Sequence, residues 1–286
     1  MPNIIDAIYN LVTDFSRNLN RQANGLNRAN QMGGALEEYV KDLFADTLHI
    51  ENEQERLIQL SETFSYLGNQ NNPPDMILRH GDAIEVKKVI GKDATLALNS
   101  SYPKDKLFSH SPLITQQCKN CEPNWIEKDI IYVVGVVPKN EALQSLCMVY
   151  GMDYAANHEI YERIKNTITT GIRLIPDVEF TETNELAKVK KIDPLGITDL
   201  RVRGMWSIAS PFKVFDYVYQ RDVEKSFNFM CLINLEKYQS FDNVSKIENL
   251  INQIVDFQIV DIMIKNPNNP AQLKSAKLIT FKNKML

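Results

Sequence analysis

Asp75, Glu85 and Lys87 are the residues of this chain whose types and spacing invite chemistry. Pro73 and Pro74 favour extended backbone leading into Asp75. An apolar run follows, Met76-Ile77-Leu78, and Gly81-Asp82 supplies a turn signal. Beyond the turn the pattern alternates: Ala83, Glu85 and Lys87 on one side, Ile84, Val86 and Lys88 on the other. That is the period of a strand with one buried face. Glu85 and Lys87 then project from the same face, about 7 Å apart along the strand. Together with Asp75 they form a set of two carboxylates and one ammonium. The carboxylates are hard oxygen ligands suited to Mg²⁺, which binds through one or two carboxylates, waters and substrate phosphate. Such a metal polarises a phosphodiester and lowers the pKa of an attacking water. Lys87 would orient or deprotonate that water, or stabilise charge on phosphorus. On Glu-x-Lys alone a solvated surface hairpin is the better account. The upstream Pro-Asp at hairpin distance raises the catalytic one beside it.

Whether Asp75 joins the other two depends on register. A two-residue turn at Gly81-Asp82 sends Asp75 to the opposite face from Glu85 and Lys87. A three-residue turn, His80-Gly81-Asp82, pairs Asp75 with Lys87 and makes Glu85 its diagonal neighbour. One residue of slip flips the face. The chemistry therefore predicts the longer turn, or a bulge, with Gly81 in the left-handed region.

Pro74-Asp75, nine residues, then Glu85-Val86-Lys87 resembles the PD-(D/E)XK nuclease signature. The flanking blocks narrow it: Leu98 to Leu107, Ser111 to Thr115, Cys118-Lys-Asn-Cys121, and Trp125 to Asp129 resemble type II restriction endonucleases of the NgoPII type. The resemblance runs from about residue 30 to 215. It implies an α/β fold with a restriction-endonuclease-like core, a central mixed sheet flanked by helices. It also implies Mg²⁺-dependent hydrolysis of double-stranded DNA at a short site, GGCC being the one linked to that type. A palindromic site is matched by a two-fold homodimer.

The elements that must position these groups are legible in outline. Residues 4–19 carry apolar residues at Ile4, Ile8, Leu11, Val12 and Phe15, a one-faced helix. A second helix opens at Gly33-Gly34, with Leu36, Tyr39, Val40, Leu43, Phe44 and Leu48 on one stripe. At 100° per residue, Glu37 falls beside that stripe and Glu38 nearly opposite it. Helices before the core hairpin often lend an acid in the PD-(D/E)XK group, so the resemblance singles out Glu37 as metal or water ligand, against an ordinary helix glutamate. Residues 51–68 read as further helix. Asp129 to Val137 is apolar on both faces and should be a central, covered strand. Leu146 to Tyr150 could pair with it as a hairpin, and Asn157 to Ile172 is helical, with Ile160, Ile164 and Ile168 recurring every four residues.

Two stretches read as DNA contacts. Asn99, Ser100, Ser101, Tyr102 and Lys104 form a polar loop just after the catalytic strand, and all are phosphate or base-edge donors. A plain polar turn is the alternative. Arg201 and Arg203 lie two residues apart on one strand face, with Trp206 nearby to pack or stack. Arginine is bidentate to guanine, the commonest specific base contact. Otherwise they pair with Asp193, Asp199 or glutamates. In the last seventy residues, 227–235 and 257–264 read as strands, 244–255 as helix and the remainder as a basic tail.

At 286 residues the chain can bury a substantial core, and it reads as a single nuclease domain with a catalytic core over about 30–172 and recognition and accessory elements over 173–286. No apolar run reaches a membrane span and no signal pattern opens the chain, so the cytoplasm is expected. The net charge of −4 weighs against nucleic acid only weakly, since binding depends on where cations lie. Of four cysteines only Cys118 and Cys121 have recognisable spacing; reduced thiols are expected there rather than zinc, for lack of a second pair. The rival functions are a repair or recombination nuclease with the same core, a DNA-binding protein that has lost catalysis, and an interaction protein with no nucleic-acid role.

Overall fold

The doubly apolar run predicted as a central strand occupies the middle of the main sheet, and most of its residues from Ile130 onward are fully buried. The structure, a computed structural model, describes residues 1–17, 19, 28–69, 72–98, 101–138, 142–181, 183 and 185–284. The helices are α1 (Ile4–Thr13), α2 (Arg28–Ala45), α3 (Glu53–Thr63), α4 (Gln116–Lys119), α5 (Gly151–Tyr154), α6 (His158–Ile172), α7 (Pro211–Val214), α8 (Leu235–Gln239) and α9 (Ser245–Glu248). The strands of the first half are β1 (Phe64–Asn69), β2 (Asn72–Leu78), β3 (Ala83–Val89), β4 (Leu96–Ala97), β5 (Lys106–Phe108), β6 (Glu127–Val136) and β7 (Ser145–Tyr150). The second half adds β8 (Glu179–Thr181), β9 (Ala187–Lys190), β10 (Leu200–Val202), β11 (Ser207–Ile208), β12 (Phe227–Asn234), β13 (Phe257–Asn266) and β14 (Asn269–Asn283).

The main sheet runs β1-β2-β3-β6-β7-β12-β14-β13, with β5 paired onto the start of β6. It is mixed: β3–β6 and β7–β12 are parallel and the other neighbours antiparallel. This is an α/β fold with a large central mixed sheet flanked by helices. One face packs Met76, Leu78, Ile84, Val86, Ile131 and Val133 against α1 and α2. The other face packs Ile77, Ala83, Tyr132 and Val134 under α4, α7 and their connections.

Helix α1 is capped by Asn3, whose side chain accepts from Ile5 N–H while Asp6 reaches back to the Asn3 N–H. It ends at Thr13 rather than near residue 19. Helix α2 begins at Arg28 and runs through Gly33-Gly34, which the sequence had marked as its opening. The stripe Leu36, Tyr39, Val40, Leu43 and Phe44 is buried. Packing of that stripe outweighs a glycine cost of about 1 kcal/mol each.

Three expectations are corrected. The helix predicted to run to Gly68 stops at Thr63, and Phe64–Asn69 forms edge strand β1. Pairing with β2 holds it extended, and a register shift between Phe64 and Tyr66 sends the two buried rings to opposite faces of the sheet. The helix predicted over 244–255 shrinks to Ser245–Glu248; Asn249 and Asn252, weak helix formers, interrupt it. The basic tail is strand β14, hydrogen-bonded on both sides by β12 and β13. Its Lys274 pairs with Asp153, and Lys277 with Asp261 at 2.8 Å, so these lysines are engaged within the fold. No helix among the described residues is long and apolar enough to cross a membrane.

The parallel pair β3–β6 is fastened at its start. Lys237 Nζ reaches Asp82 Oδ1 at 2.9 Å and Asp129 Oδ2 at 2.7 Å, while Tyr150 donates to Asp82 Oδ2 at 2.7 Å. Lys237→Met would leave two largely buried carboxylates without their cation. We expect it to cost about 3–5 kcal/mol in urea denaturation; a variant as stable as the parent would show that the clamp is dispensable.

Candidate active site

Strands β2 and β3 pair at Met76↔Ile84 and Ile77↔Ala83. The turn between them spans residues 79–81, closed by Leu78 N–H to Asp82 O and Gly81 N–H to Leu78 O, each 2.9 Å. It is the three-residue turn required, but shifted by one residue from the predicted 80–82. The left-handed residue is His80 (φ 58), not Gly81. At Gly81 it is space that is short: a Cβ there would stand 3.1 Å from Leu78 Cβ. The observed pairing aligns Asp75 with Glu85 instead of Lys87. The displacement is two residues along β3, so the face is kept and the chemistry with it.

Beyond Met76 the ladder stops. The Asp75 carboxylate occupies the gap, and Val86 N–H donates to its Oδ2 at 2.6 Å. Glu85 and Lys87 project from the face carrying Ala83 and Val89, and Lys87 Nζ lies 2.6 Å from Glu85 Oε1. Glu85 Oε2 is buried with no hydrogen-bond partner among the described residues. Glu37, on α2, pairs with Lys41 at 3.0 Å, and its charge is felt by both Asp75 and Lys87. Glu38 shares Lys41 with it, at 2.8 Å, but is also held by Arg56 at 2.6 Å and has no part in the fields on Asp75 and Lys87. The structure thus gathers Asp75, Glu85, Lys87 and Glu37 at one place.

Burial, then the Glu85 charge, pushes the Asp75 carboxyl up to about 8, against the pull of Lys87 and the Val86 N–H. Burial alone would lower Lys87, but Glu85, Asp75 and Glu37 outweigh it and hold its pKa above the ordinary lysine value. Lys87 is therefore an ammonium, suited to orienting water and stabilising negative charge rather than removing a proton.

A divalent cation fits this donor set. Glu85 Oε2 is an orphaned buried oxygen beside a second, proton-hungry carboxyl. No group of three or more His, Cys, Asp or Glu that could hold a metal occurs among the described residues. Two carboxylates leave the remaining positions to water and phosphate, the usual arrangement for Mg²⁺. At the other candidate ligand pair, burial, then the proximity of Cys121, raises the Cys118 thiol to about 12.

Asn99 and Ser100 lie outside the described residues. Tyr102 is turned inward: its hydroxyl donates to Glu162 at 2.8 Å, its ring stacks on Tyr161 at 5.7 Å and meets Trp206 edge-on at 6.1 Å. Trp206 therefore packs against the loop rather than under the arginines. Ser101 Oγ receives a hydrogen bond from Lys104 Nζ, and Lys104 is buried, not displayed on the surface. Arg201 grips Glu185 through Nε at 3.0 Å and Nη2 at 2.6 Å, and Arg203 Nε meets the same carboxylate at 2.7 Å. Both side chains are more than half exposed, so the free edges of their guanidinium groups face solvent. The sequence missed Glu185 and Tyr132. Tyr132, the register partner of Glu85 and the tyrosine within an aliphatic strand, read as core.

Comparison with known proteins adds the following. The profile of the NgoPII restriction endonuclease family matches residues 2–265, beyond both ends of the resemblance read from the sequence. The chain is 55% identical over 279 residues to a protein of Neisseria gonorrhoeae named type II restriction enzyme NgoPII, covering 98% of this chain and 99% of that one. No solved structure matches.

A carboxyl whose pKa is raised on folding favours its neutral form in the native state. Its contribution is intact below its unfolded value, near 3.8, and is lost as pH rises through about 8. Asp75→Asn should therefore be more stable than the parent at pH 8 without metal, with the gap closing toward pH 4. Parallel stability curves in EDTA would contradict the burial assigned to Asp75.

Proposed function

The chain belongs to the NgoPII restriction endonuclease family, and from that premise we propose that Asp75 and Glu85 hold Mg²⁺ while Lys87 acts on the water or the phosphate in cutting double-stranded DNA. The protein is a type II restriction enzyme, a site-specific deoxyribonuclease. The observation that carries the proposed assignment is the buried, partnerless Oε2 of Glu85 beside Asp75 and Lys87. Pro74-Asp75 and Glu85-Val86-Lys87 then fill the PD-(D/E)XK pattern.

When bound, the Mg²⁺ ion supplies Lewis-acid polarisation of the scissile phosphate and a bound water of lowered pKa. Asp75 presents Oδ1 to it, because Oδ2 is occupied by Val86 N–H. Glu85 presents Oε2, because Oε1 is held by Lys87. Lys87, as an ammonium, would orient the attacking water and offset charge as it builds on phosphorus. Glu37, whose charge acts on Asp75 and Lys87, would offer a further oxygen to the metal's water.

For recognition, Arg201 and Arg203 are the guanine readers, and the loop at Ser101 and Tyr102 lies along the DNA. Guanine readers suit a G·C-only site such as GGCC, and a palindrome suits a two-fold homodimer acting in the cytoplasm.

The founding test is digestion of an unmethylated plasmid containing GGCC. Discrete fragments are expected with Mg²⁺ and none with EDTA. Lys87→Ala should cut at least about 100-fold more slowly. A Lys87→Ala protein that digests at the parental rate would remove the catalytic assignment. Arg201→Ala and Arg203→Ala should each cost about 1–3 kcal/mol of binding and relax discrimination at one base pair. Uniform weakening across all sequences would make them phosphate contacts instead.

A further inference from the structure

We propose that Lys104 is a second catalytic lysine, whose ammonium binds a non-bridging oxygen of the scissile phosphate while Lys87 is committed to Glu85. The inference rests on the site proposed above and adds a residue to it.

Its placement is built in from two sides. Lys104 N–H donates to the Tyr132 hydroxyl at 2.7 Å, and Tyr132 is the β6 partner of Glu85 on the same sheet face. The chain at 104–105 is pressed onto the start of α5, where only a glycine leaves room. A Cβ on Gly151 would lie 2.6 Å from Asp105 O and closer still to Lys104 O. The lysine backbone is thus pinned to the tyrosine that pairs with Glu85 across the β3–β6 ladder.

The ammonium itself is incompletely matched. Lys104 is 7% exposed, and among the described residues its side chain bonds to Ser101 Oγ and pairs with no carboxylate. An ammonium carries three donors, so among the described residues two stay unspent. Burial lowers its pKa to about 8, with Glu85 raising and Lys87 lowering it, so it shares a field with both. Lys87 and Lys237, buried with carboxylate partners, are raised instead. A buried cation without an anion is costly to the fold. A phosphate entering between Glu85 and Lys104 supplies that anion. The neighbouring Lys106 is in the opposite situation, exposed to solvent and paired with Glu127.

The test compares the parent, Lys104→Met and Lys87→Ala on a short duplex carrying the mapped site. Cleavage is followed under single-turnover conditions with Mg²⁺, binding with Ca²⁺ in its place, and Tm by calorimetry. Lys104→Met should cut about 100-fold more slowly, with DNA affinity falling by no more than about 10-fold for one lost phosphate contact and Tm equal or higher, since a flexible apolar chain replaces a costly charge. A merely structural lysine would lower Tm, and a lysine on a phosphate away from the cut would weaken binding in step with cleavage; either result overturns the proposal. If Lys87→Ala is inactive but Lys104→Met cuts normally, this inference alone fails. If Lys87→Ala cuts normally, the underlying site fails with it. Lys104→Gln, which keeps a donor for Ser101 Oγ but removes the charge, provides a milder variant should Lys104→Met not fold; slowed cleavage is expected, and parental cleavage overturns the role.

Discussion

The hydrogen bond from Val86 N–H to Asp75 Oδ2 is the contact on which the rest depends. It marks the point where β2 leaves β3, after the pairs Met76↔Ile84 and Ile77↔Ala83. Had the ladder continued, the Asp75 and Glu85 side chains would stand side by side on a closed sheet, with no room for a ligand between them. Because it stops, a backbone donor is freed and a carboxylate satisfies it. The same bond fixes which Asp75 oxygen remains available. The turn enforces this alignment from the other end, through His80 in the left-handed region and Gly81 against Leu78.

Electrostatics give that geometry its purpose. Glu85, Asp75 and Glu37 converge on Lys87, and without a cation Asp75 holds its proton up to about pH 8. The site is thus strained toward positive charge before any ligand arrives. A divalent ion in the proposed position would relieve the repulsion between Asp75 and Glu85 and draw the proton off Asp75. The two ammonium groups divide along the same line: Lys87 is bound to Glu85, whereas Lys104 has a hydroxyl and unspent donors.

The arginine-bearing strand is not remote from this centre. After β10, the chain passes Trp206 and enters β11, which pairs with β4 directly before the Ser101–Lys104 loop. Leu98 N–H donates to Trp206 O at 2.9 Å, and the Trp206 ring meets Tyr102 and Tyr161. The strand that follows the arginines is thus tied by hydrogen bonds and packed rings to the loop that carries Lys104. Glu185 holds both arginines in one orientation, which lowers the entropy lost when they meet a partner.

The sequence by itself determined the central strand Glu127–Val136, the hairpin that follows it, the α2 stripe, and the common face of Glu85 and Lys87. It also separated Glu37 from Glu38, because helical angle is a local property. Those features depend on periods of two and 3.6, which neighbouring residues set among themselves. Only the tertiary structure decided the rest. Phe64–Asn69 became a strand because β2 offered an edge, and the basic tail became β14 because β12 and β13 flank it. The two-residue offset that sets Asp75 opposite Glu85 comes from the turn's fit against Leu78. Lys104 read as a surface donor and proved buried, since its environment is supplied by Tyr132, Gly151 and Glu85, distant in sequence. Burial is a property of what packs around a residue, and no local pattern around Lys104 encodes it.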